Sequence, residues 1–116
     1  MKKSFWREEV IQPGLKSDVE AAIAEQRALL EGDPHNAPAY FALGALAHFQ
    51  GGKEEAIALF QKAIECDPAY APSHVSLGRL YALQGRYDLA WEHARKAERL
   101  GDRSMLDLLE RYPNCR

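Results

Sequence analysis

The chain has 116 residues, 47% of them hydrophobic, and 15 Lys and Arg set against 17 Asp and Glu leave a net charge of −2. That composition supports one modest core, and its mixed signs offer no basic face to a phosphate backbone, so nucleic acid is not an expected partner. No run approaches the ~18 apolar residues of a membrane span. The charges of Met1-Lys-Lys-Ser-Phe-Trp-Arg-Glu-Glu also stand where a secretory leader needs an apolar stretch, so a cytoplasmic protein without membrane insertion is expected.

In chain order, Pro13 cuts a first helix short, and Ser17-x-x-Glu20 has the form of a capping box that opens a second helix running to about Leu30. Asp33-Pro34 marks a turn. From there the apolar positions step by three and four, through Tyr40, Leu43, Ala47 and Phe41, Ala45, Phe49, which predicts a helix over Ala37–Gln50. Gln50-Gly51-Gly52 breaks that run, because glycine reaches the left-handed conformation that ends a helix. Ala56, Phe60, Ala63 and Ile64 then carry a helix over Lys53–Cys66. After Asp67-Pro68, the same logic predicts Ala71–Gln84, a break at Gln84-Gly85-Arg86, and Tyr87–Leu100. Pro38 and Pro72 fall in first turns, where a missing N–H costs nothing. Arg103–Tyr112 reads as a last helix, ended by Pro113.

The two Asp-Pro pairs are 34 residues apart, and the chain overlays itself at that offset. Comparing His35–Pro68 with Ala69–Asp102 gives 10 identities in 34 positions. Ala37, Pro38, Leu43, Gly44, Leu46, Gln50, Gly51, Ala56, Lys62 and Ala63 recur as Ala71, Pro72, Leu77, Gly78, Leu80, Gln84, Gly85, Ala90, Lys96 and Ala97. Small residues recur where helices must approach closely, and Pro and Gly recur where helices begin and end. A repeat of helix pairs follows, and stacked pairs offer a groove rather than a catalytic pocket.

These residues resemble the tetratricopeptide repeat. One unit supplies Tyr40, Leu43-Gly44, Gly51, Glu54, Ala56, Phe60, Ala63 and Pro68, and the next Leu77-Gly78, Tyr81, Gly85, Tyr87-Asp88, Ala90 and Ala97. The second departs at His74 for the bulky position, Ala94 for the aromatic one and Asp102 for the closing proline. Carried backwards, the register gives a degenerate unit over 3–36, with Trp6, Ala22 and Pro34 in place. The resemblance implies an all-α fold, a right-handed α-α superhelix or alpha solenoid. It divides a single domain into a degenerate repeat 3–36, repeats 37–70 and 71–102, and a capping helix 103–112.

Enzymatic and metal chemistry find no support in the spacing. His35, His48, His74 and His93 include no pair at i, i+3 or i, i+4, and Cys66 and Cys115 complete no ligand set, so neither metal nor cofactor is expected. The two cysteines are expected to be reduced thiols. Glu54-Glu55 opens a helix, where negative charge suits the dipole better than acid–base work. Gly51-Gly52 lacks the Gly-Lys-Ser/Thr of a phosphate loop.

The resemblance also implies a concave side lined by the first helix of each pair. Its groove positions are Pro38, Phe41, Ala45, His48 and Phe49 in one unit and Pro72, Val75, Arg79, Ala82 and Leu83 in the next. Phe41, Ala45, Val75 and Arg79 stand where the chaperone-binding subtype carries the Lys and Asn of a carboxylate clamp, so that mode is disfavoured. The expected function is a non-enzymatic adaptor or scaffold whose apolar groove, with Arg79 as its cation, holds a peptide or helix of a protein partner. The alternative is self-assembly, as a homodimer or longer stack joined through repeat ends. Coverage of the groove by Phe5, Trp6, Val10 and Ile11 of the same chain is a third arrangement.

Overall fold

A computed structural model describes residues 12–112, with side chains from Lys16 onward, and shows six α-helices and no strand among them. They are α1 (Gln12–Gly32), α2 (Ala37–Phe49), α3 (Lys53–Cys66), α4 (Ala71–Leu83), α5 (Tyr87–Arg99) and α6 (Ser104–Arg111). Each packs chiefly on its neighbours in sequence, and α6 also reaches α4. The result is an all-α helical-repeat solenoid.

The ends of α2 and α4 repeat at 34 residues. Gly51 and Gly85 adopt φ of +89° and +75°. The next amide in each case closes back five residues, Gly52 N to Ala47 O (2.9 Å) and Arg86 N to Tyr81 O (2.8 Å). Only glycine takes that conformation without strain. At the helix starts, Asn36 Oδ1 accepts from Ala39 N at 3.0 Å and caps α2. Its counterpart Tyr70 makes no such bond and instead packs edge-to-face with Phe41, at 5.6 Å between centroids.

Between units, the aspartate of each Asp-Pro pair closes the turn. Asp33 Oδ1 accepts from His35 N (3.1 Å) and Asp67 Oδ1 from Ala69 N (3.0 Å). Asp102, aligned by the 34-residue offset with a proline, does the work of those aspartates: its Oδ1 accepts from Ser104 N (3.0 Å) and Ser104 Oγ (2.6 Å). Gly101, at φ +100°, stands at the register place of Asp67, and the aspartate follows one place later.

Alanines and glycines let the helices approach. Ala56, Ala63, Ala90, Ala94 and Ala97 are fully buried. The Phe60 ring lies over Gly44, with 5.4 Å between its centroid and that of Phe41. In the next unit Ala94 stands where Phe60 would be, and Met105 of α6 closes over Gly78 instead. Leu77, fully buried between the layers, is worth about 1.5–3 kcal/mol in burial.

The first unit departs from expectation. α1 is one helix from Gln12, with Pro13 in its first turn, and it runs to Gly32 rather than about Leu30. Ser17 and Glu20 therefore lie inside the helix and form no capping box. Proline is accepted there because its fixed φ suits a first turn and its absent N–H is one that no helix start pairs. Phe5, Trp6, Val10 and Ile11, and with them the first helix of that unit, lie outside the described residues, as does Cys115. No described helix is long and apolar enough to cross a membrane.

Candidate functional site

Seven of the ten predicted groove residues divide into two sets. Phe41, Val75 and Ala82 are half-buried and pack against the core cluster. The Phe41 ring in particular sits between Phe60 and Tyr70. Ala45, His48, Phe49 and Arg79 are exposed. Positions 45, 48 and 49 share one face of α2, and 79, 82 and 83 share the matching face of α4, since residues three and four apart in a helix are surface neighbours.

On those faces stand two large side chains that folding leaves in water. Phe49 is 63% exposed and Leu83, 34 residues later, is 67% exposed, more than any other large hydrophobic of the described residues. Single exposed hydrophobics are ordinary. The same position exposed in successive units is a property of the repeat. Arg79 makes no ion pair among the described residues, so its guanidinium is available to a carboxylate or an aromatic face. No hydrogen bond or ring contact among the described residues joins the α2 set to the α4 set.

A second constellation, invisible to helical spacing, lies between α4 and α5. His74 is 3% exposed, and its Nε2 is 3.0 Å from Pro68 O, a group that only accepts. Nε2 must therefore carry the proton, which leaves Nδ1 of neutral His74 to accept from His93 Nδ1, 3.1 Å away. Tyr81 stacks on His93 at 5.7 Å, Arg86 lies over the Tyr81 ring, and the Tyr81 hydroxyl accepts from Gln61 Nε2 at 3.0 Å. Burial, followed by the neighbouring His74 and Lys96, lowers the His93 pKa from 6.5 to about 4, against the opposing pull of Glu92. His74 occupies the repeat's bulky position as packing that is also hydrogen-bonded. The pair finds no third metal-ligating side chain among the described residues.

The remaining sequence candidates are dispersed. His35 is exposed in the turn before α2, and Glu54 and Glu55 are exposed in the first turn of α3. Glu54 accepts a hydrogen bond from Gln84 at 3.3 Å. Cys66 is a half-buried free thiol near Pro34 O. These groups share no cavity, and they do not assemble a nucleophile with a base.

A family model described as a tetratricopeptide repeat matches residues 37–70, which is α2 and α3 with the turn that follows. A second model with the same description matches residues 59–92, which bridges the junction from α3 through α4 into α5. No curated protein matches the chain.

Proposed function

The chain belongs to the tetratricopeptide repeat family, a family of protein-interaction modules, and from that premise we propose that it is a non-enzymatic adaptor that holds a peptide or helix of a partner protein. The binding surface is the exposed face of the first helices, α2 and α4. The observation that carries this reading is the recurrence of a large exposed hydrophobic at one position of successive units, Phe49 and Leu83. Ala45 and His48 flank the first, and Arg79 and Ala82 the second. An amphipathic helix with apolar residues at i, i+3 and i+4 fits such a surface, and an acidic residue on it would pair with Arg79.

The test is selection from a displayed library of random peptides against wild type and the F49E/L83E variant. Wild type should enrich peptides with helical apolar spacing and at least one Asp or Glu, and F49E/L83E should not. Equal enrichment on both proteins sinks the reading. Phe41 is a poorer probe, because its ring also packs on Phe60 and Tyr70. A second reading, self-assembly through the ends of the stack, is favoured by an open cleft between α5 and α6.

A further inference from the structure

One helix face recurs on α3 and α5, and α4 covers only its occurrence on α3. At the junction between the two full units, Glu54, Ile57 and Gln61 of α3 meet the end of α4. Gln84 Nε2 donates to Glu54 Oε1 (3.3 Å), Gln61 Nε2 donates to the Tyr81 hydroxyl (3.0 Å), and Ile57 is left 7% exposed. Thirty-four residues later the same places on α5 are held by Asp88, Trp91 and Arg95. Here α6 takes the position of α4, but it has 8 residues against 13 and stops at Arg111. Asp88, Trp91, Arg95 and Glu110 consequently line an open cleft of about 450 Å³.

The charges in that cleft have a symmetry of their own. Glu110 is engaged by Arg103 at 3.2 Å, whereas Asp88 and Arg95 are exposed and enter no ion pair among the described residues. Arg95 lies over the Trp91 ring. Asp88 precedes Trp91 by three residues and Arg95 follows it by four. The midpoint of that pair falls between Trp91 and Glu92, and in an antiparallel helix centred there each residue faces the one equally far on the other side. An identical α5 would therefore set its Arg95 against Asp88 and its Asp88 against Arg95.

We propose that the face of α5 bearing Asp88, Trp91 and Arg95 docks α5 of a second copy of this chain, antiparallel about a two-fold axis beside Trp91. The proposal rests on the self-assembly reading and is independent of the peptide surface on α2 and α4. A two-fold contact uses one patch twice, so the patch must complement itself. Asp88 and Arg95 meet that condition, with a flat aromatic surface between them. A single helix pair buries less than the ~1,200 Å² of a standard interface, so the dimer is concentration-dependent.

Sedimentation equilibrium from about 10 μM to about 1 mM tests it, on a range chosen for a small interface. Wild type should fit a monomer–dimer equilibrium. D88R and R95D should each lower the association constant at least ~10-fold, because each sets like charges together twice, and the D88R/R95D double variant should recover to within ~3-fold. F49E/L83E should dimerise as wild type does. A strict monomer overturns the proposal together with the self-assembly reading. A dimer that survives D88R and R95D, that the double variant fails to restore, or that F49E/L83E abolishes leaves self-assembly standing but removes the α5 pairing.

Discussion

The Phe60 ring lies so close to the bare Cα of Gly44 that a methyl group placed there would sit 2.7 Å from its Cε1. Phe60 is 3% exposed and has little room to withdraw, so this contact sets the separation of α2 and α3. Alanine is a better helix former than glycine by up to ~1 kcal/mol, but overpacking a filled core costs ~1–3 kcal/mol. Gly44→Ala should therefore lower stability in a urea titration. At Gly78 the nearest atom is Met105 Cγ, at 3.1 Å, on a flexible side chain. Gly78→Ala should cost less than Gly44→Ala, because the 3.1 Å contact with Met105 Cγ needs a smaller shift than the 2.7 Å contact with Phe60.

The histidine pair makes stability fall on the acid side. The His93 pKa is lowered from 6.5 to about 4, so between those values the unfolded chain binds the proton that the folded chain refuses. His93 thus favours folding fully above pH 6.5, and that contribution is lost as pH falls towards about 4. His93 is only partly buried and faces His74, Lys96 and Glu92, so solvent screening reduces the effect to ~1–2 kcal/mol. Thermal melts between pH 7 and pH 4 should show this slope, and His93→Gln should flatten it.

Ser73 is fully buried, and its hydroxyl has no hydrogen-bond partner among the described residues. The matching position in the preceding unit is Ala39, 1% exposed. Removing a buried hydroxyl that bonds to nothing relieves a desolvation cost. Ser73→Ala should raise stability by ~0.5–1 kcal/mol, measurable as a higher midpoint in urea with an unchanged slope.

Asp102 holds the start of α6 through Ser104. Those two hydrogen bonds, the side-chain one first, keep the Asp102 carboxyl below the usual aspartate range. A lowered carboxyl pKa stabilises the fold above the ordinary aspartate range and loses that contribution as pH falls through the folded value. The group is exposed, so the gain is small. Asp102→Ala should cost ~0.5–1 kcal/mol at neutral pH and should depart from wild type less as the solution is acidified.

Much of this architecture is legible in the 34-residue register, because its periodic residues carry backbone consequences. Gly51 and Gly85 end helices through conformations that other residues resist, and Gly44 and Gly78 permit close contacts. Local patterns read less well. Ser17-x-x-Glu20 looks like a cap, yet the residues before it are already helical, and a capping side chain has no open N–H to receive in a helix interior. The substitution of Ala94 for an aromatic residue makes sense only once Met105 is seen filling the space from another helix. The pairing of His74 with His93 joins two helices 19 residues apart, a distance no single-helix spacing rule samples. For the candidate site, the register identified exposed Phe49 and Arg79 but could not foresee how far Tyr70 and Phe60 would claim Phe41.

Because Asp33, Asp67 and Asp102 each close their own turn with a donor two residues ahead, each of these three junctions is locally self-sufficient. Such a joint behaves like a standard coupling between prefabricated parts. A duplicate of residues 35–68 spliced in after Pro68 would bring its own coupling, its own Gly44–Phe60 seat and one more exposed phenylalanine. The array would grow longer, and the exposed face proposed to hold a partner would gain a rung, without any existing seam being recut.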